Sequence, residues 1–139
     1  MQAQQGFDQW LRERRQEAYA ALLSAGDAVD DALNTVIGHT IAPVEDAERR
    51  AAWRAVNAAL RGFDRAGRTA EIVSLRDVVT QRAAMREALY EVVSVWRDPT
   101  IHLADQRAIA YADADRAWKD HSTRYLALIQ KDMQTFGGD

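Results

Sequence analysis

The segment 69–96, TAEIVSLRDVVTQRAAMREALYEVVSVW, decides the fold. It contains neither Pro nor Gly, and from Val78 onward its apolar residues recur at steps of three, four and seven, which keeps them on one helix face. The apolar residues that we assign to this pattern are Ile72, Leu75, Val78, Val79, Met85, Leu89, Val92 and Trp96. A helix of this length extends about 42 Å and cannot bury such a face alone. We therefore predict one continuous helix that packs against neighbours of similar length.

Two further helices are predicted before this segment. The first runs from Phe7 to Val36 or Ile37, and Gly38 is expected to end it. Its inner face is formed by Leu11, Ala18, Leu22, Ala25, Val29, Leu33 and Val36. After a loop that contains Pro43, a second helix starts near Glu45 and is broken around Gly67. Its inner face is formed by Ala52, Val56, Ala59, Leu60 and Phe63, and Thr69 is the expected N-cap of the next helix.

A fourth helix is predicted after Asp98 and Pro99, which suit the N-cap and the first helical position. It runs toward Phe136, and its inner face is formed by Leu103, Ala110, Ala114, Ala117, Trp118, His121, Tyr125 and Leu128. Four amphipathic segments with short connections favour an all-α fold, an up-and-down antiparallel four-helix bundle with long helices. The alternative is that two long helices form an extended hairpin that dimerises to complete the bundle. The length predicts a single domain over residues 1–139, with frayed ends at 1–6 and 137–139.

The composition excludes several classes of function. The chain is 47% hydrophobic and 28% charged, as in a globular domain, and it contains no Cys for disulfides, thiolate catalysis or Cys-ligated metal. Its net charge of −3 disfavours binding to nucleic acid or to an anionic membrane. No apolar run reaches membrane-spanning length, and the first ten residues do not resemble a signal peptide. We therefore expect a cytoplasmic protein without a membrane partner.

Three segments resemble a group of small, Arg- and Ala-rich helical proteins that are common in actinobacteria. They are WLRERRQEAYAALL at 10–23, LRGFDRAGRTAEIV at 60–73 and STRYLALIQKDMQTFG at 122–137. The resemblance spans most of the chain and implies a helical bundle with no known activity.

The segment 97–102, RDPTIH, resembles the Arg, polar residue, spacer and His motif of HEPN domains, which are helical bundles that often cleave RNA. The resemblance implies that Arg97 stabilises phosphate charge, that His102 acts in acid–base catalysis and that Asp98 orients both. Pro99 departs from the pattern. About one Arg–His pair at this spacing is expected by chance, and the chain has a second in Arg116 and His121. The alternative is that Asp98 and Pro99 only start a helix.

A second candidate site lies on the fourth helix, where Trp118, His121 and Tyr125 share one face. These side chains could line a pocket for a small-molecule ligand. The alternative is that His121 is a core residue whose ring nitrogens are bonded within the fold. The three His residues show no metal-ligand spacing and no Glu-x-x-His pair occurs, so neither a metal nor another cofactor is predicted.

Two runs of arginine are candidate anion-binding faces: Arg12, Arg14 and Arg15, and Arg61, Arg65 and Arg68. Nearby acidic residues, among them Asp64 and Glu71, favour solvated faces with intrahelical ion pairs. The function predicted from the sequence is thus a non-enzymatic interaction or regulatory module that binds a protein partner or self-associates. A HEPN-like ribonuclease, or its inactive relative, and a small-molecule-binding bundle are the alternatives.

Overall fold

The computed structural model describes residues 2–73, 76–98 and 104–137, with side chains in 3–72, 76–98 and 106–132. Within these residues the chain forms four helices and no strand: α1 at Gln2–Ile41, α2 at Asp46–Val73, α3 at Arg76–Arg97 and α4 at Ala104–Gly137. The predicted all-α class with four long helices is confirmed. The chain divides into two compact units, one built from α1 and α2 and one from α3 and α4. The prediction of a single domain stays a prediction.

The first unit is an antiparallel helix pair, because α1 and α2 pack together after a connection of only a few residues. Its buried side chains confirm most of the predicted inner faces. They are Ala18, Leu22, Val29, Leu33 and Val36 of α1, and Ala52, Val56, Leu60 and Phe63 of α2. Tyr19 and Ala70 are also buried and were not predicted. The apolar period thus located the core of this pair.

The predicted end of the first helix at Gly38 is wrong. Helix α1 passes through Gly38 without a positive φ, and the amide of Ala42 still donates to the Gly38 carbonyl at 2.8 Å. Helix α1 ends at Ile41, two residues before Pro43, because Pro43 lacks an amide hydrogen and disfavours helical geometry at Ala42. Helix α1 also begins at Gln2, upstream of the predicted start at Phe7.

The predicted break near Gly67 and the predicted helix start at Thr69 are also wrong. Helix α2 runs through Gly67 as far as Val73, and α3 begins at Arg76. Thr69 is not an N-cap, since its hydroxyl donates to the Arg65 carbonyl at 3.2 Å, which is the bond of a threonine inside a helix. Ile72, expected on the inner face, is 85% exposed. Residues 74 and 75, which separate α2 from α3 in the sequence, lie outside the described residues, so the predicted continuity from Thr69 to Trp96 stays a prediction.

The second unit packs α3 against α4 in antiparallel order, because Gln81 contacts His121 whereas Trp96 contacts Tyr111. Its buried apolar residues include most of the predicted inner face. They are Val78, Met85, Ala88, Leu89, Val92, Val93 and Val95 of α3, and Ala114, Trp118, Tyr125 and Ile129 of α4. Ala117, predicted to face inward, is exposed, since it lies a quarter turn from Trp118. The predicted start of the fourth helix at Pro99, and Leu103, lie outside the described residues.

Helix α1 is much longer than its partner. Helix α1 has 40 residues and α2 has 28. Because only residues 42–45 connect them, the first residues of α2 lie beside the last residues of α1. At roughly 1.5 Å per residue, α1 therefore extends about 18 Å beyond the end of α2. This extension, residues 2–13, is called the projecting segment below. Separately, none of the described helices is long and apolar enough to cross a membrane.

Candidate functional site

The HEPN-like motif lies where α3 ends. Arg97 is the last residue of α3 and is exposed, and the amide of the half-buried Asp98 donates to the Ser94 carbonyl at 2.8 Å. His102 lies outside the described residues, as do all residues of the motif after Asp98. The structure therefore places one end of the motif and does not test whether Arg97 and His102 meet.

Contacts that the sequence did not predict connect the end of α3 to α4. The Nη2 of Arg107 donates to the Asp98 carbonyl at 3.2 Å, and its guanidinium carbon lies 5.7 Å from the centre of the Trp96 ring. Trp96 also meets Tyr111 edge to face, with ring centroids 5.4 Å apart. Arg107 and Tyr111 are four residues apart on α4, so both reach the same indole. Asp98 therefore has a structural role through its backbone carbonyl.

The second candidate site is built into the packing of α3 against α4. Trp118 and Tyr125 are buried, and His121 between them is half-buried. Gln81 of α3 approaches His121 twice: its Nε2 lies 3.1 Å from Nδ1 of the ring and donates to the backbone carbonyl at 3.0 Å. A glutamine amide nitrogen carries two hydrogens, which suits both contacts when the ring proton is on Nε2. These contacts give His121 a part in helix packing, and ligand binding here stays a prediction.

An exposed aromatic pair lies on the projecting segment. Phe7 is 55% and Trp10 is 48% exposed, and their rings stack at 27° with centroids 6.0 Å apart. The guanidinium carbon of Arg14 lies 5.6 Å from the centre of the Trp10 ring, and Arg14 pairs with Glu17 at 3.2 Å. Leu11 and Phe7 continue the inner face of α1, in line with Ala18 and Leu22, to where α2 no longer covers it. An apolar face therefore reaches solvent at this end of the chain.

Within the described helices, the two runs of arginine include a buried residue, an ion-paired residue and exposed residues without an ion pair. Arg15 is buried, and Arg14 has the ion pair expected from the sequence. For Arg61, Arg65 and Arg68 the predicted intrahelical ion pairs are wrong: all three are exposed, and none has an ion-pair partner among the described residues. The acids nearest to them, Asp64 and Glu71, are half-buried and make other contacts. Exposed positive charge is thus left on α2.

No protein-family model, curated protein or solved structure matches this chain. The resemblances to actinobacterial helical proteins and to HEPN domains therefore stay predictions. Within the described ranges, no group of three His, Asp or Glu side chains is arranged to hold a metal ion. Among the described residues, the aromatic pair and the exposed charge of the first unit are surfaces that a partner could contact.

Proposed function

We propose that this chain is a non-enzymatic helical interaction module that associates with further copies of itself. The observation that carries the proposal is the stacked pair of Phe7 and Trp10, both about half exposed on the projecting segment. Trp and Arg are the residues most often found at energetic centres of protein interfaces, and here Arg14 lies over the Trp10 ring. A large aromatic pair held by a rigid helix loses little conformational freedom when a partner covers it.

The charge of the same region suits a second copy. Residues 3–14 carry two acids, Asp8 and Glu13, and two bases, Arg12 and Arg14. These residues therefore add no net charge that would repel a second copy. Complementary charge across an interface favours one partner and one register over others.

The area of the pair decides how strong such a contact can be. Large aromatic side chains bury roughly 150–250 Å² each, so covering the exposed half of both rings removes about 200 Å² from water. At about 25 cal/mol per Å² this contributes at most about 5 kcal/mol. Association costs about 4–15 kcal/mol in lost freedom. The aromatic pair alone therefore does not make a stable dimer, and the interface must include further contacts.

The proposal is tested by sedimentation velocity of the full chain over a range of concentrations. We expect concentration-dependent association, with an association constant at least about tenfold lower in the double variant Phe7→Ala/Trp10→Ala. The matched control is Ile109→Ala/Leu126→Ala, which truncates two exposed apolar residues of α4 and should leave association unchanged. A chain that stays monomeric throughout, or that associates equally well without both rings, would refute the proposal.

A further inference from the structure

Five arginines form one stripe along the outer side of α2. Relative to the first of them they lie 4, 11, 15 and 18 residues along the helix, all close to whole turns. They are Arg50, Arg54, Arg61, Arg65 and Arg68. All five are exposed, and none has an ion-pair partner among the described side chains. The stripe is about 27 Å long at roughly 1.5 Å per residue.

The arginine stripe lies away from the core of its unit. Val56 and Phe63 are fully buried, and each follows a stripe arginine by two residues, which is about 200° around the helix. Asp64 and Glu71 lie between the stripe and the buried face and contact other residues. The five guanidinium groups are therefore directed outward and are available to a partner.

Helix α1 carries an acidic stripe of the same length. Its members lie 4, 14 and 18 residues from the first, again close to whole turns, and all are exposed. They are Glu13, Glu17, Asp27 and Asp31. Leu22 and Val29 are fully buried on the opposite side of α1, so this stripe also faces outward. Asp27 and Asp31 have no ion-pair partner within the described part of the chain.

We infer that the arginine stripe of α2 docks on the acidic stripe of α1 of a second copy, with the two helices antiparallel. This inference rests on the proposed function, for which it names the partner and the contact. If Arg68 faces Glu13 of the second copy, the remaining spacings also match. The other facing pairs are then Arg65 with Glu17, Arg54 with Asp27, and Arg50 with Asp31.

The same register brings the exposed apolar residues together. Ile72 follows Arg68 by one helical turn on the same stripe and is 85% exposed. Trp10 precedes Glu13 by almost one turn of α1. Antiparallel docking therefore sets Ile72 against Trp10 of the second copy, whereas parallel docking sets Ile72 near Thr35. The apolar contact selects the antiparallel arrangement, and the charges align it along about 27 Å.

The observations favour a second copy over a nucleic acid as the occupant. A phosphate backbone would gain from the five arginines, but the acidic stripe of the same unit and the net charge of −3 oppose its approach. A second copy turns that acidic stripe from a repulsive surface into the binding surface. One molecule thus carries both halves of the contact.

The inference is tested by a charge swap in the full chain. The basic-stripe variant is Arg50→Glu/Arg54→Glu, and the acidic-stripe variant is Asp27→Arg/Asp31→Arg. Each variant alone opposes like charges, and we expect its self-association to fall at least about tenfold near 0.1 M salt, where the screening length is about 10 Å. An equimolar mixture of the two variants should regain association, because their reversed halves are complementary. The matched control, Arg116→Glu/Arg124→Glu, makes the same charge change on α4 and should associate like the unaltered chain.

The outcomes separate this inference from the proposed function. Association that weakens near 1 M salt, where screening acts within about 3 Å, and that the mixture restores would support the inference. If association is lost in Phe7→Ala/Trp10→Ala but is unchanged in both charge-reversal variants, the docking of the two stripes is refuted and the proposed function still holds. A chain that never associates would overturn both. Binding of duplex DNA or RNA that is lost in the basic-stripe variant, without any self-association, would assign the stripe to nucleic acid and refute the inference. Circular dichroism of every variant must show unchanged helix content.

Discussion

Leu89→Ala tests the packing of α3 most directly. Leu89 is fully buried, and Met85 and Val92, one turn away on either side, are fully or almost fully buried as well. The substitution removes three carbon atoms, and at about 0.8 kcal/mol for each buried methylene the loss of transfer energy is about 2.4 kcal/mol. A cavity that well-packed neighbours cannot fill adds to this, so we expect a loss of about 3–4 kcal/mol.

The assay is urea unfolding followed by the helical circular-dichroism signal. The midpoint should fall while the dependence on denaturant stays unchanged, which marks a loss of stability rather than a change in the unfolded state. Leu126→Ala is the matched control, because it makes the same chemical change at a leucine of α4 that is 41% exposed. Its cost should stay below about 1 kcal/mol. Equal costs for the two variants, or a loss below about 1 kcal/mol for Leu89→Ala, would mean that this face of α3 is not the packed one.

Three further predictions concern single positions. Gly38→Ala should stabilise α1 by about 0.5–1 kcal/mol in thermal unfolding, because Gly38 is helical and an added Cβ meets open space; destabilisation would restore Gly38 as a helix stop. Gln81→Ala should cost about 1–2 kcal/mol, and a double-mutant cycle with His121→Ala should be non-additive; additive losses would contradict the contact. The purified chain should not cleave single-stranded RNA, and metal-independent cleavage that Arg97→Ala and His102→Ala both abolish would overturn this expectation.

Apolar periodicity predicted the fold because burial dominates the free energy of helix packing. Leu22, Phe63 and Leu89 all lie on predicted inner faces and are buried. Helix ends were harder to predict, because a glycine costs only about 1 kcal/mol inside a helix that is otherwise well packed. Gly38 and Gly67 were therefore mistaken for breaks, although both are helical. Helix α1 ends just before Pro43, because proline has no amide hydrogen to donate to the helix.

The contacts of the candidate sites could be predicted much less well. The Gln81–His121 contact joins residues 40 positions apart, so it depends on the register of α3 against α4, which no local pattern encodes. The contact between Arg107 and Trp96 depends on the same register. The spacing of Arg61, Arg65 and Arg68 can be seen in the sequence. Whether these arginines form ion pairs depends on the direction of the nearby acidic side chains, which the spacing does not give. Asp64 and Glu71 lie toward the buried face, and this left the arginines exposed.

The separation of charge between α1 and α2 has a cost for each helix. Like charges three or four residues apart destabilise a helix by about 0.2–0.5 kcal/mol, and the arginine stripe contains such spacings at Arg50–Arg54, Arg61–Arg65 and Arg65–Arg68. If this face served only to keep the helix solvated, acidic and basic residues alternating at these positions would make the helix more stable. Reversing Arg54 should therefore relieve repulsion within α2 while it weakens docking to Asp27 of a second copy. If the stripe had a purely structural role, reversing Arg54 would instead lower the stability of the chain. A variant that is more stable but associates more weakly therefore indicates a binding surface.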